Sequence, residues 1–133
     1  MKTEQEIFDQ VSVHLLTQNK KSMRKNVSYG ESCAYRGDGG CKCAAGCLIP
    51  DDRYRTDYEG KIWPISDSYA REGDKASTDL AAIANEIGHH RLVAHLQTCH
   101  DQFTVATWRV RLHKIAVENG LAIAVMDAVP VSV

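Results

Sequence analysis

The stretch "CAYRGDGGCKCAAGCLIPDD", residues 33–52, carries four of the chain's five cysteines: Cys33, Cys41, Cys43 and Cys47. The fifth is Cys99. Helical periodicity is absent here. "SCAYR" and "CKCA" flank "GDGG", which predicts a β-hairpin. Turn length sets its register. A two-residue loop, Asp38-Gly39, pairs Arg36 with Cys41 and puts Cys33 and Cys43 on opposite faces. A three-residue loop, Gly37 to Gly39, pairs Arg36 with Gly40. It sets Cys33 opposite Cys43 and Tyr35 opposite Cys41. The sequence permits both.

Helices are expected on either side. Thr3 and Glu6 have capping-box spacing, and Ile7, Phe8, Val11 and Leu15 follow as one apolar face. That helix should fade near Asn19. The basic run "NKKSMRK", residues 19–25, reads as its solvated end. "KIWPI" suggests a short edge strand, because Pro64 lacks a ladder donor. "SDSYAREGDKAST" reads as a polar loop. Ser77 or Thr78 can cap "DLAAIANEI", and Gly88 fits its stop. "HHRLVAHLQTCH" has a shifted apolar phase and reads as a second short helix or a kinked continuation. Asp101 is placed to cap the next, whose stripe is Val105, Trp108, Leu112 and Ile115. Asn119-Gly120 ends it. "LAIAVM" is apolar on both faces and reads as a buried strand. The expectation is a helix-rich α+β single domain over residues 1–133, with a small antiparallel sheet that includes the Cys-flanked hairpin.

Composition bounds the function. The chain has 133 residues, 44% apolar and 25% charged, with net charge −1. Such a chain can bury a self-sufficient core. Its charge gives no global reason to bind nucleic acid or anionic membrane. "MKTEQEIF" is acidic where a signal peptide needs a basic start and an apolar run. No apolar run approaches the roughly 20 residues of a membrane span. The expected setting is the cytoplasm, where thiols stay reduced, and an odd cysteine count argues further against a disulfide framework.

The thiols then have three readings. The spacing C-x7-C-x-C-x3-C fits only one zinc pair, Cys43 and Cys47, with His95 and Cys99 as a second pair four residues apart. Zinc is the one cofactor left open. Alternatively, Cys43 at the start of a helix "CAAGCLI" becomes a nucleophile, its pKa lowered by the dipole, with His100 as base. Asp101 is adjacent to His100. Neighbouring residues rarely orient each other, so a second acid such as Asp51 enters the account. The bland reading is packing, the common fate of buried cysteine and of a histidine on an apolar face. Arg36 and Asp51 are expected as a buried pair. Tyr35, Arg36, Asp51 and Tyr54 are the candidate partner contacts, because tyrosine and arginine dominate interface hot spots.

"CAYRGDGGCKCAAGCLIPDDRY" with "EG" at 59–60, "HLLTQ", and "LQTCHD" followed by "LHKIA" resembles a group of small proteins of tailed phages, prophages and bacterial genomes. The matching positions are Cys33, Tyr35, Arg36, Cys43, Gly46, Pro50, Asp51, His100 and Asp101. Cys41 and Cys47 are the more variable ones, and "LAIAVMDAVPVSV" runs past the usual end. The resemblance implies a cytoplasmic accessory protein, acting in the host cytoplasm if phage-encoded, and no chemistry by itself. Three functions stay open: a module that binds and modulates a host or viral protein, a thiol-dependent hydrolase or transferase using Cys43 and His100, and a zinc-stabilised binding module. The apolar C-terminal strand also offers a route to a homo-oligomer.

Overall fold

The structure is a computed structural model that describes residues 1–26, 30–64 and 74–131. It is a helix-rich α+β fold with one small antiparallel sheet. The first helix, α1 (Glu4–Gln18), starts at Thr3 with both halves of the capping box made. Thr3 Oγ1 accepts from the Glu6 amide at 3.1 Å, and a Glu6 carboxylate oxygen accepts from the Thr3 amide at 2.9 Å. Free donors of the first turn are thus satisfied. Asn19 ends α1 in the left-handed conformation. Ile7, Phe8, Val11 and Leu15 are fully buried, as their spacing predicts.

The basic run is not a helix end. After Asn19 the chain turns and enters β1 (Met23–Asn26), which pairs with β2 (Gly30–Cys33) in register Met23↔Cys33. Its cations lie on a linker and an exposed strand, where hydration suits them equally well. "KIWP" forms no strand among the described residues; Trp63 and Pro64 are buried coil. The polar-loop reading of "SDSYAREGDKAST" falls mostly outside the described residues.

Helix α2 (Lys75–Ile87) begins one turn earlier than Ser77 or Thr78 implies. Asp74 is the cap: it accepts from the Ser77 amide and hydroxyl, and its backbone carbonyl accepts from Thr78 Oγ1. Lys61 Nζ donates to the same carboxylate at 2.8 Å, so Asp74 is held well below the usual carboxylate range. Aspartate carries a charge that Ser77 lacks, and this second partner decides the competition. Gly88 stops α2, and α3 (His90–Gln102) follows as a separate helix. Asp101 caps nothing; it lies in the last turn of α3. A 3-10 turn, Val105–Thr107, leads into α4 (Trp108–Glu118), which ends at Asn119.

The C-terminal reading is corrected. No strand occurs among residues 121–131; the helix α5 (Ala124–Asp127) stands there instead. A short apolar run does not distinguish strand from helix by periodicity. Here Met126 is fully buried while Val125 is 47% exposed. Arg109 of α4 donates to the carbonyls of Met126 and Val129, and Gln5 pairs both ways with the Ala122 backbone at 2.8 and 3.0 Å. These side chains take the backbone groups a strand partner would have used. The oligomer route through a C-terminal strand therefore has no strand to use among the described residues. Helix α1 lies at the centre, in contact with α3, α4 and α5. No helix among the described residues is long and apolar enough to cross a membrane.

Candidate functional site

The thiol segment folds in neither predicted register. An isolated antiparallel bridge pairs Arg36 with Lys42, and Gly37 N–H donates to the Cys41 carbonyl at 2.9 Å. The turn is wider than either prediction because a 3-10 turn, Asp38–Gly40, fills it, with Gly39 and Gly40 both at positive φ. Cys33 pairs with Met23 on β1, so it does not stand across from Cys43 in a ladder. The "CAAGCLI" segment is a tight turn followed by the 3-10 turn Gly46–Leu48, too short for a helix dipole to accumulate. Gly46 is seated directly on the Tyr35 backbone, and a Cβ there would overlap the Tyr35 carbonyl oxygen.

Burial holds Cys33, Cys43, Cys47 and Cys99 toward the neutral thiol. All five are free. Cys43 is fully buried, and its Sγ accepts from the Gly46 amide at 3.3 Å. Burial outweighs that contact and pushes its pKa well up, opposite to the expected direction. Burial likewise pushes Cys47 and Cys99 up to about 12. Cys41 is buried. Cys33 is half-buried, with its S–H donating to Met23 Sδ at 3.6 Å; burial raises its pKa, and the neighbouring Asp101 carboxylate adds to the rise.

The Arg36–Asp51 pair exists at 2.9 Å, but it is not buried: the Asp51 side chain is 80% exposed. Asp51 serves Arg36 and Lys42 rather than His100, and these two cations hold its pKa below the usual range. Arg36 also donates to the Ile49 carbonyl at 2.7 Å and stacks over the Tyr54 ring. Glu59 organises this face. One carboxylate oxygen accepts from the Tyr35 amide at 2.9 Å. The other accepts from the Arg36 amide at 3.0 Å and the Tyr54 hydroxyl at 2.5 Å. Burial and that carboxylate push Tyr54 up to about 12. Tyr35 and Tyr54 thus act as parts of the scaffold around Glu59. The "EG" of the sequence pattern was the signal for Glu59, but nothing in the residues alone said which amides it holds.

His100 and Asp101 do interact, although they are adjacent in sequence. His100 is fully buried. Its Nε2 accepts from the Ser22 amide at 2.9 Å, so the proton resides on Nδ1. Nδ1–H donates to Asp101 Oδ1 at 2.7 Å. Gln97, one helical turn earlier, donates to both Asp101 oxygens at 3.0 and 3.1 Å. Gln97 Oε1 in turn accepts from the Ala45 amide at 2.8 Å. No second acid is needed, because the helix end lets Asp101 fold back onto the ring. Gln97 was legible as an i,i+4 partner of Asp101, but the sequence reading passed over it.

Cys33, His100 and Asp101 offer ligand atoms within 4.8 Å of one another. This is the only such group among the described residues, and it includes neither Cys43, Cys47, His95 nor Cys99. It suits a metal poorly. Coordination through His100 Nδ1 requires the proton on Nε2, where it would face the Ser22 N–H, donor against donor. The same accounting leaves His100 no free lone pair for a general base.

A solvent-open cleft of about 380 Å³ lies over this group. Cys33, Tyr35, Glu59, Trp63, Gln97 and Asp101 are among its walls. Trp63 is 3% exposed, and its indole N–H has no acceptor among the described residues. The arrangement presents a carboxylate held from behind by His100 and Gln97, flanked by aromatic rings. Comparison with protein-family models, with curated proteins and with solved structures found no match.

Proposed function

We propose that the protein is a small binding module of phage or prophage type that docks on a host or viral protein and modulates it. The observation that supports this reading is the cleft: its polar groups are fixed by second partners, and no thiol beside it is activated. Preorganised groups lose little freedom on binding, which favours recognition. The experiment uses the tagged protein as bait in host lysates, beside Ala94→Trp, which fills the cleft from α3. A discrete partner retained by the parent and lost on A94W is the expected result. No partner above background in several hosts, or equal capture by A94W, overturns the reading.

The thiol-dependent alternative using Cys43 and His100 has less support, because burial drives the Cys43 thiol toward its neutral form. Native protein at pH 7–8 should alkylate with iodoacetamide far more slowly than a free thiol of pKa about 8.5. Cys33 should react before Cys43, because it is the more exposed of the two. Peptide mass spectrometry of a time course reads this. Rapid, selective modification of Cys43 would restore the enzyme reading.

A further inference from the structure

We infer that the cleft takes an arginine side chain of the partner, seated on Asp101. The inference rests on the binding-module reading and names the chemistry that such a partner presents. Three observations converge on it. Asp101 Oδ1 already accepts from His100 and Gln97, whereas Oδ2 accepts from Gln97; the Cys33 thiol lies near the carboxylate, its S–H turned to Met23. One carboxylate oxygen therefore keeps capacity for a strong donor. Asp101 lines the cleft and its side chain is 30% exposed, so a ligand can reach it.

The balance of charge in the cleft is negative. Among the described residues, Asp101 and Glu59 line it with one cation, Lys61, whose ammonium is turned to Asp74 at 2.8 Å; Arg24 stands 4.0 Å from Glu59, so Asp101 is the carboxylate without a cationic side chain on it. Lys21 lies near the site, but its ammonium donates to the Asp101 backbone carbonyl at 3.2 Å. The aromatic wall is the third observation. Tyr35 and Trp63 are 6.2 Å apart, their planes 58° from parallel. A guanidinium is planar, weakly hydrated and stacks on such faces while forking onto a carboxylate; an ammonium does neither as well. A bare metal ion is the poorer occupant, because His100 aims an N–H at the same carboxylate.

The probe is N-acetyl-arginine methylamide, with the neutral citrulline counterpart as control. Titration is followed by the NMR resonance of the Trp63 indole and by protection of Cys33 from iodoacetamide. The arginine probe should shift the indole and slow alkylation. Citrulline should bind at least about tenfold more weakly, the least expected for loss of a charged hydrogen bond. Asp101→Asn should weaken arginine binding by at least the same factor. Since D101N also touches His100, Thr98→Lys supplies a second variant: Thr98 is an exposed residue of the cleft wall, and a cation there should repel the probe without disturbing the core. Equal binding of both probes, or binding unchanged in both variants, overturns the inference. If A94W abolishes partner capture yet the arginine probe does not bind, this inference falls alone. If the probe binds yet no partner is captured, the binding-module reading falls alone.

Discussion

Glu59→Ala lowers the stability of the fold by about 3–5 kcal/mol. The side chain is 14% exposed, and its carboxylate takes three donors: the amides of Tyr35 and Arg36 and the hydroxyl of Tyr54. Removing it strands these donors, and a buried donor without a partner costs about 1–3 kcal/mol. The open cleft beside Glu59 lets water reach part of the gap, which keeps the sum below the arithmetic maximum. Glu59→Gln retains one acceptor oxygen and turns an N–H₂ toward the other donor, so it should lose about half as much. Urea unfolding of the three proteins reads the difference as a shift in midpoint at constant slope. A loss under about 1 kcal/mol for E59A would mean that the carboxylate does not organise this face.

The second large effect is at His100. His100→Ala should cost about 3–4 kcal/mol, from a cavity beside Trp108 and an unsatisfied Ser22 amide. The ring is fully buried, 5.4 Å from the Trp108 ring, and bonded at both nitrogens. The two bonds are separable by substitution. His100→Gln can place an acceptor near the Nε2 position for Ser22. His100→Asn can place a donor near the Nδ1 position for Asp101. Each should recover part of the loss, and neither all of it. Nitrogen-15 NMR of the parent should show the neutral tautomer with its proton on Nδ1. The other tautomer, or an H100A variant of parental stability, would overturn the account and reopen His100 as a base or ligand.

Local signals in the sequence carried the helices. The Thr3–Glu6 capping box, the Asn19 end, the Gly88 stop and the Asn119 stop depend on residues within one turn, and each stands where its chemistry puts it. What failed was set by distant partners. Asp74 displaced Ser77 and Thr78 as a cap because Lys61 reaches it. The C-terminal segment is pinned by Gln5 and Arg109, which bond the backbone of Ala122, Met126 and Val129 in and around α5. The hairpin register failed because the 3-10 turn at Asp38–Gly40 widened the loop.

The candidate site was legible in its members and not in its connections. His100 and Asp101 were paired correctly in sequence but denied contact by a rule about neighbours that a helix end breaks. Cys43 was chosen as the nucleophile because a helix was expected to start at it, and the segment is a tight turn instead. Gln97 could have been found from its i,i+4 spacing to Asp101, whereas Glu59 escaped because the Tyr35 and Arg36 amides it holds lie more than 20 residues away in the chain.

The central position of α1 has a consequence for synthesis. Its apolar face, Ile7 to Leu15, is covered by α3, α4 and α5. During translation α1 leaves the ribosome before any of these has been made. The face closes only once Trp108 and Leu112 have followed, and Met126 completes it last. The nascent chain therefore presents this apolar face until α3, α4 and α5 have emerged, the kind of transient surface that chaperones shield. Slow translation between α1 and α5 would lengthen that exposure.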